Sequence, residues 1–323
     1  MQYIAIIGGA GYIGSHTLKA LHESGQPCLV IDNLAYGHRE TIPDGVPFFC
    51  ADLADKTSLS EVFAQYDIKS VIHFAAYTYV GESVSEPAKY YANNVVGTLT
   101  LLDTMLARNI KNIIFSSSCA VYGLPAYTPL DEVHPTNPIS PYGNTKRIIE
   151  QVLADYGQAY GLRSIALRYF NAAGAALDGS LGESHSPETH LIPLVLKAIN
   201  SNGGVSVFGN DYPTPDGTCI RDYIHVADLA QAHIAALDAL PAYSGPLNLG
   251  TGVGYSVLDV IHTAERISGR PCKYTIKPRR PGDPPILLAA SQKVASVLQW
   301  QPTVSDLDTI IASAWEWELN KNF

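Results

Sequence analysis

The chain has 323 residues and is 46% hydrophobic, enough to bury a large core in one or two domains. Its formal net charge of −9, with few arginine clusters, argues against nucleic acid as a partner. No apolar stretch reaches the length of a membrane span, so the sequence also argues against a membrane protein.

The start of the chain and its thiols favour a cytoplasmic location. Met1 is followed almost at once by an apolar strand, which leaves no room for a signal peptide. The five cysteines are odd in number and scattered, as is typical of reduced cytosolic thiols. The ten histidines show no metal-ligand spacing, so we expect no metal site.

The first predicted strand, Tyr3 to Ile7, runs directly into a glycine-rich turn and then into a helical pattern through Gly25. Strand, glycine turn and helix together are typical of a dinucleotide site. The glycines allow close backbone approach, and the helix N-terminus presents amide groups to a pyrophosphate. The residues expected to bind it are Gly8, Gly11, Tyr12, Ile13 and Gly14, with the glycines spaced Gly-x-x-Gly-x-x-Gly.

The second predicted strand, Cys28 to Ile31, ends in Asp32 and Asn33. Asp32 follows Gly14 by 18 residues, close to where a carboxylate binds the adenosine ribose hydroxyls. A carboxylate at this position repels a 2′-phosphate, so we expect NAD rather than NADP. The alternative is an aspartate that only caps the turn after its strand.

Two further strand ends complete the predicted cofactor site. Asp52 and Leu53 follow a third strand, Val46 to Ala51, and are expected near the adenine. A fourth strand, Ser70 to His73, precedes a segment whose small residues would let the cofactor lie against the sheet. That segment is Phe74, Ala75 and Ala76.

Tyr142 and Lys146 are candidates for acid-base chemistry. They are four residues apart on a predicted helix and therefore share a face. A lysine cation about 4 Å from the phenol contributes about 4 kcal/mol at an effective dielectric constant of about 20. This would lower the phenol pKa from about 10 to about 7, which suits a general base. Ser118, on the loop after a preceding strand, can hydrogen-bond the same substrate oxygen. The pair alone is common in amphipathic helices, and the upstream dinucleotide pattern is what makes it a candidate site.

Strands and helices alternate up to about Tyr169, which predicts an α/β fold with a Rossmann-type doubly wound parallel sheet. Two long helices are expected, at 88–108 and 141–160. After Asn171 the apolar segments become shorter and of mixed type. We therefore expect an NAD-binding domain at 1–170. Residues 171–323 should form mainly a smaller mixed α/β substrate lobe, with segments returning to the first domain. The cleft between the two lobes is the expected active site.

Several further motifs occur in order along the chain. They are His73-Phe74-Ala75-Ala76, Val80-Gly81-Glu82-Ser83, Asn93-Asn94-Val95, Arg168-Tyr169-Phe170-Asn171, Phe208 to Thr214, Arg221 to Val226 and Arg280-Pro281-Gly282-Asp283. With the glycine turn and the Ser118 and Tyr142 segments, they cover essentially the whole chain. In these motifs the sequence resembles the extended short-chain dehydrogenase/reductases and, within them, the UDP-hexose 4-epimerase family.

The resemblance implies roles for individual residues. Ser118, Tyr142 and Lys146 would be the catalytic trio, with Ser118 and Tyr142 also contacting substrate. Phe74, Asn93, Phe170, Tyr142 and Lys146 would contact NAD. The UDP-sugar would contact Asn171, His190, Leu191, Phe208, Arg221, Arg280 and Asp283. Arginine forks suit a diphosphate, although Arg221 could instead pair with Asp222, and Arg280 with Asp283, as surface ion pairs. Phe208 could equally be a core residue, and Asn93 a helix cap.

Members of the family pair their two long helices across a two-fold axis, so a homodimer is expected.

The residues after Ser118 narrow the expected reaction. Dehydratases with the same fold resemble one another in having Asp-Glu there, whereas this chain has Cys119 and Ala120, which cannot exchange protons usefully with a substrate. Inversion of the 4-hydroxyl of UDP-glucose and UDP-galactose is therefore expected. The alternatives are 4-epimerisation of UDP-N-acetylglucosamine or UDP-glucuronate, and a non-catalytic NAD-binding regulator. Leu287 replaces a tyrosine of some family members and would leave room for an N-acetyl group, while Thr78 replaces a lysine near the cofactor in others.

Overall fold

The structure is a computed structural model that describes residues 1–280, 282–321 and 323. The strands are β1 (Tyr3–Ile7), β2 (Cys28–Asp32), β3 (Phe48–Cys50), β4 (Ile68–His73), β5 (Asn112–Ser118), β6 (Arg163–Tyr169), β7 (Asn171–Ala173), β8 (Gly204–Phe208), β9 (Ile220–His225), β10 (Gly245–Leu249), β11 (Gly254–Ser256), β12 (Lys273–Lys277) and β13 (Ile286–Leu287).

The α-helices are α1 (Tyr12–Glu23), α2 (Lys56–Gln65), α3 (Val80–Ser85), α4 (Pro87–Tyr90), α5 (Gly97–Ala107), α6 (Pro141–Tyr160), α7 (Leu191–Asn200), α8 (Val226–Ala239), α9 (Val257–Ser268), α10 (Gln292–Leu298) and α11 (Leu307–Asn320). Short 3-10 turns occur at Arg39–Thr41 and Cys119–Val121, and a π-helical turn at Tyr91–Val96. Within the described residues, no helix has both the length and the apolar character needed to cross a membrane.

A seven-stranded sheet in the order β10-β6-β5-β4-β1-β2-β3 forms the centre of the molecule. Every pairing within it is parallel. The order is that of a Rossmann fold with one added strand, and its direction of winding reverses between β1 and β4. The predicted fold class is confirmed. Ligands of such sheets bind outside the carboxyl ends of the strands at this reversal.

Both faces of the sheet are covered, as a parallel sheet requires. Ile4 and Ile6 of β1 belong to one buried cluster together with apolar residues of α1 and α8. Ala5 and Ile7 belong to a second cluster, on the opposite face, with residues of α2, α5 and α6. The alternation along β1 therefore places the strand between two helical layers and fixes where its carboxyl end, and the turn after it, must lie.

The chain beyond residue 171 contributes to this central layer and also forms a smaller one. β10 pairs with β6 at the edge of the main sheet, and α8 packs against α1. The smaller part has β9 between β11 and β13, with β7 also paired to β9, and a separate β8–β12 pair. A third buried cluster, with residues of α7, α9 and α11, supports it.

Only one of the two predicted long helices forms a single uninterrupted helix. α6 has the predicted bounds, because Ser140 accepts a hydrogen bond from the Gly143 amide, Pro141 is the first helical residue and Gly161 ends the helix at φ 70°. The predicted helix at 88–108 is instead α4, the π-helical turn and α5 in succession. π-Helical turns occur often at functional sites, and this one contains Asn93 and Asn94.

Candidate active site

The glycine turn after β1 brings three elements into close contact. Gly8 has φ 81°, and a Cβ on it would lie 2.5 Å from the backbone nitrogen of Ala75, which follows β4. A Cβ on Gly14 would lie 2.2 Å from the carbonyl oxygen of Gly8. Only glycine fits these two positions, since both contacts are with backbone atoms. The turn therefore holds the start of α1 against the ends of β1 and β4.

The N-terminus of α1 is open to an anion. Its N-cap, Gly11, makes no side-chain capping bond, and its first turn has no acidic residue. The free amides of a helix start and its dipole together favour a phosphate. The side chains of Tyr12 and Ile13 are used elsewhere, since the Tyr12 hydroxyl donates to the carbonyl oxygen of Gly174 at 2.6 Å and Ile13 packs on the core.

Asp32 both caps its own turn and presents a carboxylate to the site. Its Oδ2 accepts from the Ala10 amide at 2.9 Å, and its Oδ1 from the Leu34 amide at 2.8 Å. Each oxygen keeps a further acceptor site for a ribose hydroxyl. Burial raises the pKa of Asp32, while the two amide bonds act in the opposite direction. Both interpretations of Asp32 from the sequence are therefore compatible with its geometry.

The other predicted cofactor residues lie along the same edge. Asn33 donates to Asp52 at 2.7 Å. Leu53 is buried, and its side chain packs directly against Gly97 of α5. The amides of Phe74 and Ala75 both donate to the carbonyl oxygen of Ile7, which ties this segment to the glycine turn. Ala76, Asn93 and Phe170 follow on neighbouring elements. Asn93 is half-buried in the π-helical turn, and Phe170 is buried directly after β6.

These features fit NAD. The glycine turn leaves room for backbone approach, the helix start offers amides to a pyrophosphate, and Asp32 offers a carboxylate to an unphosphorylated ribose.

Ser118 and Tyr142 meet at the end of β5. Ser118 is the last residue of that strand, and its Oγ accepts from the Ala120 amide at 3.1 Å, which starts the 3-10 turn. Tyr142 is in the first turn of α6, and hydrogen bonding with Ser118 lowers the pKa of its phenol. Gly143 allows this approach, because a Cβ there would lie 2.5 Å from the carbonyl oxygen of Ala120.

Lys146 is fully buried one turn further along α6. Its Nζ donates to the carbonyl oxygen of Ser116 at 2.8 Å and lies 5.9 Å from the centroid of the Tyr142 ring. The Nζ is also 4.9 Å from the centroid of the Phe115 ring. The lysine is thus on the predicted face of the helix, but its ammonium group is directed to the backbone of β5.

The predicted pKa of the phenol is wrong for this arrangement. Burial raises the pKa of Tyr142 to about 12, although the Ser118 hydrogen bond acts in the opposite direction. Burial lowers the pKa of Lys146 to about 7, while Glu150 raises it. The sequence estimate counted only the attraction between the two groups. It omitted desolvation, which penalises the phenolate and the ammonium separately.

A buried charge network that the sequence did not indicate lies behind Lys146. Arg168 donates to Glu150 through Nε at 3.0 Å and through Nη2 at 2.6 Å. Ser117 donates to the same carboxylate at 2.5 Å, and Arg168 also donates to the Tyr122 hydroxyl at 2.9 Å. Glu150 is one helical turn after Lys146 and is the carboxylate that favours its charged form. The motif containing Arg168 was noticed in the sequence, but nothing there connected it to Glu150.

Asn94 is a second residue that sequence analysis left without a role. It accepts from the Tyr77 amide at 2.9 Å, donates to the Tyr77 carbonyl at 3.0 Å and donates to Thr145 Oγ1 at 3.1 Å. It therefore ties the π-helical turn to the segment after β4 and to α6. Asn93 in turn donates to Asn94 at 2.9 Å. The doubled asparagine was visible in the sequence, but only the fold distinguishes their roles.

The predicted substrate residues form two groups. In the first, Arg221 of β9 forms an ion pair with Asp283, and this pair is largely buried. Arg221 stands opposite Leu287 in the β9–β13 register. Leu287 packs on the cluster that contains Phe170, as does Cys119, the residue after Ser118. This group therefore reaches the catalytic end of β5. The arginine does form an ion pair, but one directed into the site.

The second group is held by other contacts. Arg280 stacks over the Phe208 ring, 4.1 Å from its centroid. Asn171 donates to the carbonyl oxygen of Asp222 at 2.8 Å. His190 occupies the N-cap position of α7 without a side-chain capping bond, and its Nδ1 faces Glu183. Leu191 is the first residue of that helix. Pro281 of the predicted Arg280-to-Asp283 motif lies outside the described residues.

The fold and site together define a Rossmann-type NAD-binding domain whose candidate acid-base residues are Ser118, Tyr142 and Lys146. The sequence of residues 4–250 matches the NAD dependent epimerase/dehydratase family, and the chain belongs to that family. The enzyme class, the NAD dependence and the resemblance inferred from the sequence are confirmed at this level.

The similarity to known proteins extends over nearly the whole chain. UDP-glucose 4-epimerase of Rhizobium meliloti (strain 1021) is 50% identical over 322 residues, which cover 99% of this chain and 98% of the relative. A crystal structure of UDP-glucose 4-epimerase from Brucella ovis in complex with NAD is 50% identical, with a TM-score of 0.94. The enzyme from Bifidobacterium longum in complex with NAD+ and UDP is 40% identical, with a TM-score of 0.93. Both structures cover 98% of each chain.

The low pKa of Lys146 predicts a specific pH dependence of stability. Between pH 7 and 10.5 the unfolded lysine holds a proton that the folded one has lost, so the free energy of unfolding should rise with pH. Lys146→Met removes this contribution. From pH 7 to pH 9, wild type should gain about 1 to 2 kcal/mol relative to the variant, measured by urea unfolding of nucleotide-free protein.

Lys69→Met, at an exposed lysine of β4, is the control and should follow the wild-type profile. Parallel profiles for wild type and Lys146→Met would contradict the prediction.

Proposed function

We propose that this chain interconverts UDP-glucose and UDP-galactose by inverting the 4-hydroxyl group. One observation carries the proposal. Ser118 and Tyr142 lie together at the carboxyl end of β5, on the sheet edge where the glycine turn and Asp32 fit NAD. The names of the relatives, and the NAD and UDP in two solved neighbours, support the same reaction.

The residues of the chain divide the work of proton transfer and orientation. As the phenolate, Tyr142 takes the proton of the sugar 4-hydroxyl and later returns it, and Ser118 orients the same oxygen through its own hydroxyl. Because burial alone keeps the phenol protonated, the phenolate requires positive charge beside it in the loaded site. Lys146 supplies positive charge behind the phenol when it is protonated. NAD, held by the glycine turn, the start of α1 and Asp32, would supply a reversible hydride acceptor for C4 of the sugar, so that no hydride is consumed overall. Inversion follows because the keto-sugar turns over between the two transfers.

Dehydration is disfavoured by the residues after Ser118. The 3-10 turn there contains Cys119 and Ala120, and burial raises the pKa of the Cys119 thiol to about 12. A thiol that stays protonated is a poor base at neutral pH. Asp222, the residue after Arg221 in β9, accepts hydrogen bonds from the backbone amides of Thr251, Gly252 and Ala289. Its carboxylate therefore has a structural role.

The UDP-sugar is proposed to bind between β9, β13 and the loops after β6 and β8. Arg221 and Arg280 would bind the diphosphate, and Phe208 would stack on uracil. Asn171, His190, Leu191 and Asp283 would supply further contacts. We assign NAD binding to residues 1–170 and substrate binding mainly to 171–323, apart from α8 and β10, which return to the central sheet. We also place the enzyme in the cytoplasm, in keeping with its unpaired cysteines.

Tyr142→Phe tests the proposed acid-base role. Losing a general base should lower turnover by about a hundredfold or more, because the phenol oxygen that exchanges the proton is removed. The measurement is conversion of UDP-galactose, with the product identified by NMR and bound NAD quantified in the same sample. Tyr160→Phe, at the exposed end of the same helix, is the matched control and should keep wild-type turnover.

A Tyr142→Phe enzyme within about tenfold of wild type would refute the mechanism. A wild-type protein that holds NAD but turns over no nucleotide-sugar would instead support the competing class, a non-catalytic NAD-binding regulator.

Sugar specificity is proposed to depend on Leu287. Its place opposite Arg221 and against the Phe170 cluster puts it beside the proposed sugar site. Leucine lacks the ring and hydroxyl of tyrosine, so it leaves more room for an N-acetyl group. We therefore propose UDP-glucose and UDP-galactose as the main substrates, with detectable activity on the N-acetylhexosamine pair.

Leu287→Tyr should depress activity on the N-acetyl pair and spare the glucose/galactose reaction, because the added ring occupies the extra space. Both activities are measured by NMR on wild type and variant. Leu319→Tyr, at a leucine of α11 that is 46% exposed, is the control and should leave both activities unchanged. Equal loss of both activities in Leu287→Tyr, or no N-acetyl activity in wild type, would contradict the proposed role.

A homodimer is the remaining part of the proposal. Leu102 of α5 and Leu153 of α6 face the core and are buried. Leu99 and Ile148 lie outside the core clusters and are partly exposed, and Val96 is 57% exposed. These outward residues of α5, α6 and the π-helical turn provide an apolar surface for a partner copy.

Leu99→Asp should convert the dimer to monomer at micromolar concentration, because a carboxylate would be desolvated in an apolar contact. Sedimentation velocity measures the change. Val133→Asp, at a residue that is 85% exposed on another loop, should leave the dimer intact. A wild-type chain that sediments as a monomer would refute the proposal.

A further inference from the structure

The loop between β7 and α7 brings four potential metal ligands together. They are Glu183, His185, Glu188 and His190, with one ligand atom from each lying within 4.8 Å of all the others. The order Glu-x-His-x-x-Glu-x-His is not a familiar metal-ligand spacing, and the sequence predicted no metal site. The folded loop therefore creates a cluster that the linear pattern did not reveal.

The ligand atoms of the cluster lie close enough together to surround a single ion. Nδ1 of His185 lies 3.1 Å from Oε1 of Glu183 and 3.8 Å from Oε2 of Glu188. Nδ1 of His190 faces the same Oε1 of Glu183. Zinc bonds of about 2.0 to 2.1 Å in a tetrahedron put neighbouring ligand atoms about 3.3 Å apart. The six separations between the four ligand atoms, all within 4.8 Å, would need to shorten only modestly or adjust to reach this value around one centre.

His185 provides an independent reason to expect a ligand. Its Nδ1 is buried and lies 3.1 Å from Oε1 of Glu183, but it makes no well-formed hydrogen bond among the described residues. A buried ring nitrogen without a good hydrogen bond carries a desolvation cost that a metal ion would remove. The side chains of Glu183 and Glu188 are only 5% and 10% exposed, so their charges also gain from a dication. His190, with 53% of its side chain exposed, leaves a route by which an ion reaches the cluster.

The loop is held in place from several directions. Trp317 donates to the Glu183 carbonyl at 2.9 Å, and the Tyr79 hydroxyl donates to the Pro187 carbonyl at 2.9 Å. Glu188 Oε1 accepts from the amides of Thr189 and His190 at 2.6 and 2.8 Å, which orients its other oxygen toward His185. Ligands held by their surroundings lose less conformational entropy on binding, which favours a real site over a chance cluster.

We propose that Glu183, His185, Glu188 and His190 bind one divalent transition-metal ion, with Zn2+ as the best match. Two imidazole nitrogens and two carboxylate oxygens suit zinc, cobalt or nickel better than magnesium or calcium, which prefer oxygen alone. The ring of Tyr12 lies 6.4 Å from that of His185, so the ion would sit beside the start of α1. It would join the loop before α7 into one rigid unit. His190 is also among the proposed UDP-sugar contacts, but ion binding itself does not depend on the proposed reaction.

Metal analysis of the untagged full-length chain tests the site. After treatment with a chelator, the protein is dialysed against Zn2+ and its zinc content is measured by mass spectrometry. Co2+ replaces zinc in a parallel sample, where a tetrahedral site gives an intense visible spectrum. We expect about one ion per chain in wild type and at least about tenfold weaker binding in Glu183→Gln and His185→Gln.

His262→Gln, at an exposed histidine of α9, is the control and should bind as wild type does. If the buried variants do not fold, His190→Gln replaces them, because its side chain is half exposed. Wild-type zinc below about a tenth of an equivalent would overturn the proposal. Equal binding by wild type and the ligand variants, or equal loss in His262→Gln, would overturn it as well.

Discussion

All strands of the central sheet run in one direction, and the remaining features of the site follow from this constraint. Parallel strands place their carboxyl ends on one edge, so residues that follow different strands meet although they are far apart in sequence. Gly8 follows β1, Asp32 ends β2, Phe74 follows β4 and Ser118 ends β5. The helices on both faces bury the apolar side chains of the strands and leave only this edge open to ligands.

Burial governs the electrostatics of the catalytic centre. Tyr142 and Lys146 are both buried, so each favours its neutral form. Burial therefore raises the pKa of Tyr142 and lowers the pKa of Lys146. The phenol is thereby kept protonated, and the amine loses its charge near neutral pH. Any added positive charge beside the phenol would stabilise the phenolate strongly in such a low-dielectric site. The centre is thus sensitive to what binds on the adjoining sheet edge.

The support around the centre comes from groups on other elements. Glu150, held by Arg168 and Ser117, provides the negative charge that Lys146 senses. Asn94 joins α6 to the segment after β4 through Tyr77 and Thr145. A buried polar network with unpaired donors or acceptors would destabilise the fold, but the Glu150 carboxylate and the Asn94 amide are both hydrogen-bonded. The rigidity of the trio is therefore a property of three layers of the fold rather than of α6 alone.

The sequence by itself determined the alternating fold, the glycine turn, the bounds of β1 and α6, and which residues are proposed as the catalytic trio. These features depend on local chemistry: glycine at a tight turn, apolar runs in buried strands, and caps at helix ends. Only the tertiary structure decided the π-helical turn, the pairing of Arg221 with Asp283, and the convergence of Glu183, His185, Glu188 and His190. It also decided the direction of the pKa shifts at Tyr142 and Lys146. Desolvation and long-range contacts depend on what surrounds a side chain, and no spacing along the chain specifies those surroundings.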